Sequence, residues 1–237
     1  MAAIVASGAM LGCASTPAKS NADRVSALLS RTPLIDGHND LLIHYLGPAN
    51  SLGNVDQYDI RKRTTGQVDL PRMKAGHVGA AIFTVGINDP KNREVAIAAS
   101  TSLLRELAKR SSNDFEVVTD GAGVTRAFKS GRIAALMGLE GGDQIWDAAN
   151  PPPVVKVGDV ADHVEHVRRV AGVDHVGIGA DFDGVDFSRV TGLDDVSKFP
   201  ALFVELMNRG WTDEDLEKLA GKNFLRVLKA VEATAGR

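Results

Sequence analysis

The chain has 237 residues, is 44% hydrophobic and 24% charged, and carries a formal net charge of −3. That composition describes a globular chain able to bury a core, long enough for one large α/β domain or two small ones. The charge gives no electrostatic reason to expect a nucleic-acid partner. The longest basic cluster, Arg61-Lys62-Arg63, reads as a solvated loop, and a single cysteine, Cys13, excludes an intrachain disulfide.

Residues 2–12 form an apolar run too short to span a bilayer as a helix. It ends in Leu11-Gly12-Cys13 and gives way to a polar tract over 14–21. This arrangement resembles the lipobox of a bacterial lipoprotein signal peptide. On that resemblance Cys13 becomes a lipidated N-terminus, and the protein is exported to the periplasm or cell envelope and tethered to a membrane. No Lys or Arg precedes the run, where a signal peptide normally carries them; the other reading is a disordered N-terminus. Residues 1–21 are therefore set aside as leader and linker, leaving 22–237 as the folded domain.

The next segment, 22–31, places Val25, Leu28 and Leu29 at helical spacing. A first strand is expected over 33–38, then a polar, glycine-containing stretch to about Gln67. Asp69 caps a short helical turn that stops at Gly76, and Val78 to Val85 is an apolar strand of the kind covered on both faces. Glu94 to Arg110 is a helix, Phe115 to Thr119 a strand, Gly123 to Gly131 a short helix and Ile133 to Leu139 a strand. Val157 to Ala171 is a helix and His175 to Gly179 a further strand. Thr212 caps the final helix, with acids in its first turn, where the helix dipole favours them. Strands alternating with helices imply a parallel sheet, open or closed.

Polar residues gather just after the apolar strands: His38 and Asp40 after the first, Glu140 after the fourth, Asp181 and Asp183 after the last. In parallel α/β folds that edge carries the active site. Residues i and i+2 of an extended chain face the same side, so His38 and Asp40 can reach one point. One imidazole and one carboxylate suit a divalent metal such as zinc. Taken singly, each has a plainer reading: Asp40 or Asp181 caps a following turn, and Glu140 sits in a turn before two glycines.

The order of motifs is more specific than any one of them. Asp36-Gly37-His38-Asn39-Asp40 is followed by Val68-Asp69-Leu70-Pro71-Arg72-Met73-Lys74-Ala75-Gly76 and Gly138-Leu139-Glu140-Gly141-Gly142. Then come Val160-Ala161-Asp162-His163-Val164-Glu165-His166, Gly177-Ile178-Gly179-Ala180-Asp181-Phe182-Asp183-Gly184 and Asn223-Phe224-Leu225-Arg226-Val227. Together, from about Asn21 to the C-terminus, they resemble the membrane dipeptidase (renal dipeptidase) family of zinc peptidases. The resemblance implies an α/β fold of the (β/α)8 TIM-barrel type, as in metal-dependent hydrolases, with two zincs and a dipeptide substrate. It assigns His38 and Asp40 to the first zinc, Glu140 to the bridge between both, and Asp181 to handling the proton of the shared water.

One departure is large. The family supplies two further histidines for its second zinc, and a histidine and an arginine for the substrate, on strands after the Glu140 motif. Here only 35 residues separate Glu140 from His175, about the length of one βα repeat. The segment expected between about 147 and 153 is missing, five of the eight barrel strands are countable, and one zinc or none is expected. Three readings follow: a metallodipeptidase of impaired activity, an inactive remnant, or an exported lipoprotein with a binding role. In the third, open sheet edges would pair with a partner or a second copy.

Overall fold

A computed structural model describes residues 19–45, 55–56, 58–85, 93–139, 155–184 and 190–236. Helix α1, Asn21–Leu29, starts at a reciprocal cap between Ser20 and Asp23 and buries Val25, Leu28 and Leu29. Strand β1, Leu34–Asn39, runs into a 3-10 turn, Leu41–Tyr45. Helix α2, Leu70–Ala75, is capped by Asp69, has Pro71 in its first turn and stops at Gly76. Strand β2, Val78–Val85, is buried at seven of its eight positions. Helix α3, Arg93–Arg110, strand β3, Phe115–Val117, helix α4, Gly121–Lys129, and strand β4, Ile133–Leu139, follow.

The second half is mainly helical. A two-residue strand β5, Val155–Lys156, leads into α5, Val157–Ala171, which ends at Gly172 with a φ of 90°. A 3-10 turn, Val173–His175, precedes the segment 176–184, and a second short strand, β6, Val190–Thr191, pairs in parallel with β5. Helix α6, Phe199–Asn208, and helix α7, Asp213–Glu217, capped by Thr212, come next. A π-helical turn, Lys218–Lys222, joins α7 to α8, Asn223–Thr234.

The main sheet is wholly parallel, in the order β1-β2-β4-β3. Strand β4 lies beside β2 over a six-residue register from Ala80↔Ala134 to Val85↔Leu139. Strand β3 reaches only the first half of β4, from Phe115↔Ile133 to Val117↔Ala135, and so forms an outer edge. On the far side, segment 176–184 lies against β1. The result is an arc of parallel strands with helices packed on it, an incomplete barrel among the described residues.

Two expectations change. The strand predicted over His175–Gly179 is not continuous: His175 belongs to the 3-10 turn, and the chain meets β1 only through isolated bridges, Asp36↔Ile178 and Asn39↔Phe182. Gly177 and Gly179 offer no side chain to pack there, and β1 is itself irregular between Asp36 and Asn39. Helix α6 was not anticipated. Its apolar set Phe199, Leu202, Phe203, Leu206 and Met207 has helical spacing and is buried.

Most of the core lies under the arc on one face. It joins Leu28, Leu34, Leu41, Tyr45, Phe83 and Leu104 to Phe203, Leu206 and Trp211. A smaller cluster around Ile35, Val124, Ala134 and Leu136 covers the other face. This packing fixes β1, and with it the polar residues at its end.

Candidate metal centre

Strand β1 is buried through Asp36 and then opens at Gly37 and His38. A Cβ at Gly37 would stand 2.9 Å from the Ile178 carbonyl oxygen, so glycine permits the close approach of segment 176–184. The two segments exchange backbone bonds: Gly37 N–H donates to Ile178 O, Asp181 N–H to His38 O and Asp40 N–H to Phe182 O, at 2.8, 3.1 and 2.9 Å. Asp36 ties them from beneath, accepting from the N–H groups of His38 and Ala180 and from the Asn39 side-chain amide. Burial pushes the Asp36 carboxyl up and the three donors pull it partly back, which leaves it at about 6.

Three side chains converge above this seam. His38 Nε2 lies 3.6 Å from Asp40 Oδ1 and 3.3 Å from Asp181 Oδ1. One ligand atom from each residue falls within 4.8 Å of the others. Asp181 reaches this position with a φ of 58°, a left-handed conformation that Asp tolerates better than most residues. A methyl group at Gly184 would overlap Asp181 Oδ1 and Asp40 Oδ2, so the glycine leaves room for both carboxylates.

The arrangement fits a divalent cation. Asp40 Oδ1 is buried and accepts no hydrogen bond among the described residues, a costly state for a carboxylate oxygen unless a cation or a donor faces it. One imidazole nitrogen and two carboxylate oxygens are a donor set that zinc accepts.

A second polar group adjoins the cluster. Asp183, with a φ of 69°, pairs with His44 and with the loop before α2. From α2, Arg72 is buried against the capping Asp69 and also donates to the Gly66 carbonyl in that loop.

Of the residues singled out in the sequence, the structure brings together His38, Asp40 and Asp181. Glu140 lies outside the described residues, one position beyond the end of β4, and Cys13 also lies outside them. The other histidines are elsewhere. His44 faces Asp183, His77 precedes β2, His163 and His166 sit on α5, and His175 is in the 3-10 turn. None joins the cluster, the single such group among the described residues. Sequence reasoning missed Asp36 as scaffold and Gln67 as a partner of Asp183. A carboxylate at a buried strand position was the available signal for Asp36; none marked Gln67.

Among the described residues no helix is long and apolar enough to cross a membrane. Comparison with known proteins gives consistent results. Dipeptidase verJ of Clonostachys rogersoniana is 26% identical over 345 positions, covering 90% of this chain and 87% of that protein. That alignment is longer than the chain, so part of the relative has no counterpart here. Dipeptidase tcpJ of Claviceps purpurea is 44% identical over 90 residues, 38% of this chain and 21% of that protein.

Among solved structures, a dipeptidase AC described as a metallo peptidase of family M19 superposes with a TM-score of 0.68. It is 17% identical, with 84% of this chain and 98% of that one covered. A Rhodobacter sphaeroides metallo peptidase, liganded with a phosphinate mimic of the dipeptide L-Ala-D-Ala, gives 0.63 at 16% identity, covering 84% and 99%. These likenesses establish the barrel-type fold. The model of the membrane dipeptidase family, peptidase family M19, matches residues 22–151 and 149–237, and the chain belongs to that family.

Proposed function

We propose that the chain is a zinc-dependent dipeptidase by descent, with one metal half-site and impaired hydrolysis of dipeptides. The observation that carries this reading is the convergence of His38, Asp40 and Asp181 at the C-terminal end of the arc, with no further histidine beside them among the described residues. His38 would supply the nitrogen donor and Asp40 a buried oxygen. Asp181 has the place that family resemblance gives to the proton-handling carboxylate, yet its oxygen lies close enough to His38 to act as a third donor. Glu140, next after β4, is proposed as a fourth. A divalent cation held there would lower the pKa of a water and polarise a scissile carbonyl. Asp181 would then accept the water's proton and pass it to the leaving amine, as a positioned carboxylate can. If it is engaged as a ligand, that role is compromised, a second reason to expect weak turnover. Export with lipidation at Cys13 is proposed on the sequence pattern alone.

The test is hydrolysis of Gly-Leu by the zinc-loaded full chain. Turnover far below that of a full-length relative, raised when the relative's segment is inserted after Trp146, supports the reading. Turnover within tenfold of the relative, abolished by Asp181→Asn, would contradict the impairment.

A further inference from the structure

Asp183 follows Asp181 by two residues but lies outside the cluster. Its side chain is 1% exposed. It is joined to the loop before α2 in both directions: Gln67 N–H donates to Asp183 Oδ1 over 2.5 Å, and Asp183 N–H donates to Gln67 Oε1 over 2.9 Å. His44 Nε2 lies 3.2 Å from the same Asp183 oxygen, and its ring stacks on Tyr58 at 4.3 Å. The Tyr58 hydroxyl in turn accepts from Gly66 N–H at 3.0 Å. A methyl at Gly66 would overlap Tyr58, Asp183 and His44 together, so this loop closes on Asp183 only because residue 66 is glycine.

Asp181 and Asp183 both hold positive φ angles, 58° and 69°, two left-handed residues within three positions. Such angles are unfavourable for residues other than glycine and persist only where the surroundings over-determine them. On one side the turn is held by the β1 backbone, through His38 and Asp40. On the other the polar ties run through Asp183, while Phe182 between them packs on Phe199. Loss of the Asp183 ties would let the turn relax toward ordinary angles and carry the Asp181 carboxylate away from His38.

We propose that Asp183 is a positioning residue for the metal site, locking the 181–184 turn to Gly66–Gln67 and thereby holding Asp181 toward His38 and Asp40. The inference rests on the metal reading above. Its test is titration of the full chain with Co2+, followed by visible absorption and calorimetry, in Asp181→Ala, Asp183→Ala, the double variant and Asp183→Asn. Asp183→Ala should weaken Co2+ binding about 10- to 100-fold, the usual range for residues that orient ligands, and give the absorption spectrum of Asp181→Ala. The double variant should bind no more weakly than Asp181→Ala alone, because coupled residues do not add. Asp183→Asn, which keeps an acceptor for Gln67, should recover most of the affinity.

Should Asp183→Ala fail to fold, Gln67→Ala takes its place. It should weaken Co2+ binding in the wild-type background and change nothing in Asp181→Ala. Wild-type binding by Asp183→Ala, or effects that add in the double variant, would overturn the positioning role alone. A wild-type chain that takes up no Co2+ would overturn the metal reading and the positioning role with it.

Discussion

Two seams of the same parallel sheet are built by different physics. Strands β2 and β4 meet along a continuous register, with Ala80, Ala81, Phe83 and Ala134 fully buried. Strand β1 and segment 176–184 meet through two isolated bridges, with Asp36 tying the two together and Asp183 tying the segment to the loop before α2. The apolar seam buries side chains, and the polar seam gathers the candidate ligands. A ladder of interdigitated side chains tolerates no cavity. The polar seam instead brings carboxylates and an imidazole together at a strand end, where an apolar ladder would have no room for them.

The contrast can be broken at several points. The largest effect is expected at the apolar seam: Phe83→Ala empties a position that packs on Phe115 and should cost about 3–5 kcal/mol in urea unfolding. Next, Gly184→Ala should lower Co2+ or Zn2+ affinity by roughly 10- to 100-fold, because it displaces the Asp40 and Asp181 carboxylates. Its unfolding midpoint should move little, and a large drop there would show that the polar seam carries global stability after all. Gly37→Ala presses on the Ile178 carbonyl and should cost about 1–3 kcal/mol while also weakening metal uptake. The smallest effect is expected at the exposed Arg24–Asp213 pair, where Arg24→Ala should change stability by less than about 1 kcal/mol. Hydrogen exchange sharpens the same comparison: amides of β2 and β4 should exchange by global unfolding, and those of 178–182 by local opening.

The sequence was most legible where one physical pattern dominated. Val78 to Val85, Ile133 to Leu139 and Val157 to Ala171 were bounded as observed, because a continuous apolar run or a helical stripe marks both ends. His38, Asp40 and Asp181 stood out because they follow apolar strands, and their side chains lie together in the structure. The last strand was less legible, since glycines replace the side chains that a ladder needs, and its contact with β1 includes a hydrogen bond to Asp36 from Ala180, 144 positions away. Gln67 was illegible for the same reason: its partner Asp183 lies 116 residues along the chain. Helix α6 was a different failure, for its apolar residues recur at helical spacing and could have been read.

The central claim is a single metal site at the polar seam. Its most direct test is the zinc content of the purified full chain after metal loading and buffer exchange, beside that of Asp40→Ala. One zinc per chain in the wild type and almost none in the variant is the predicted result. Two zincs per chain, or one zinc that survives Asp40→Ala, would contradict it.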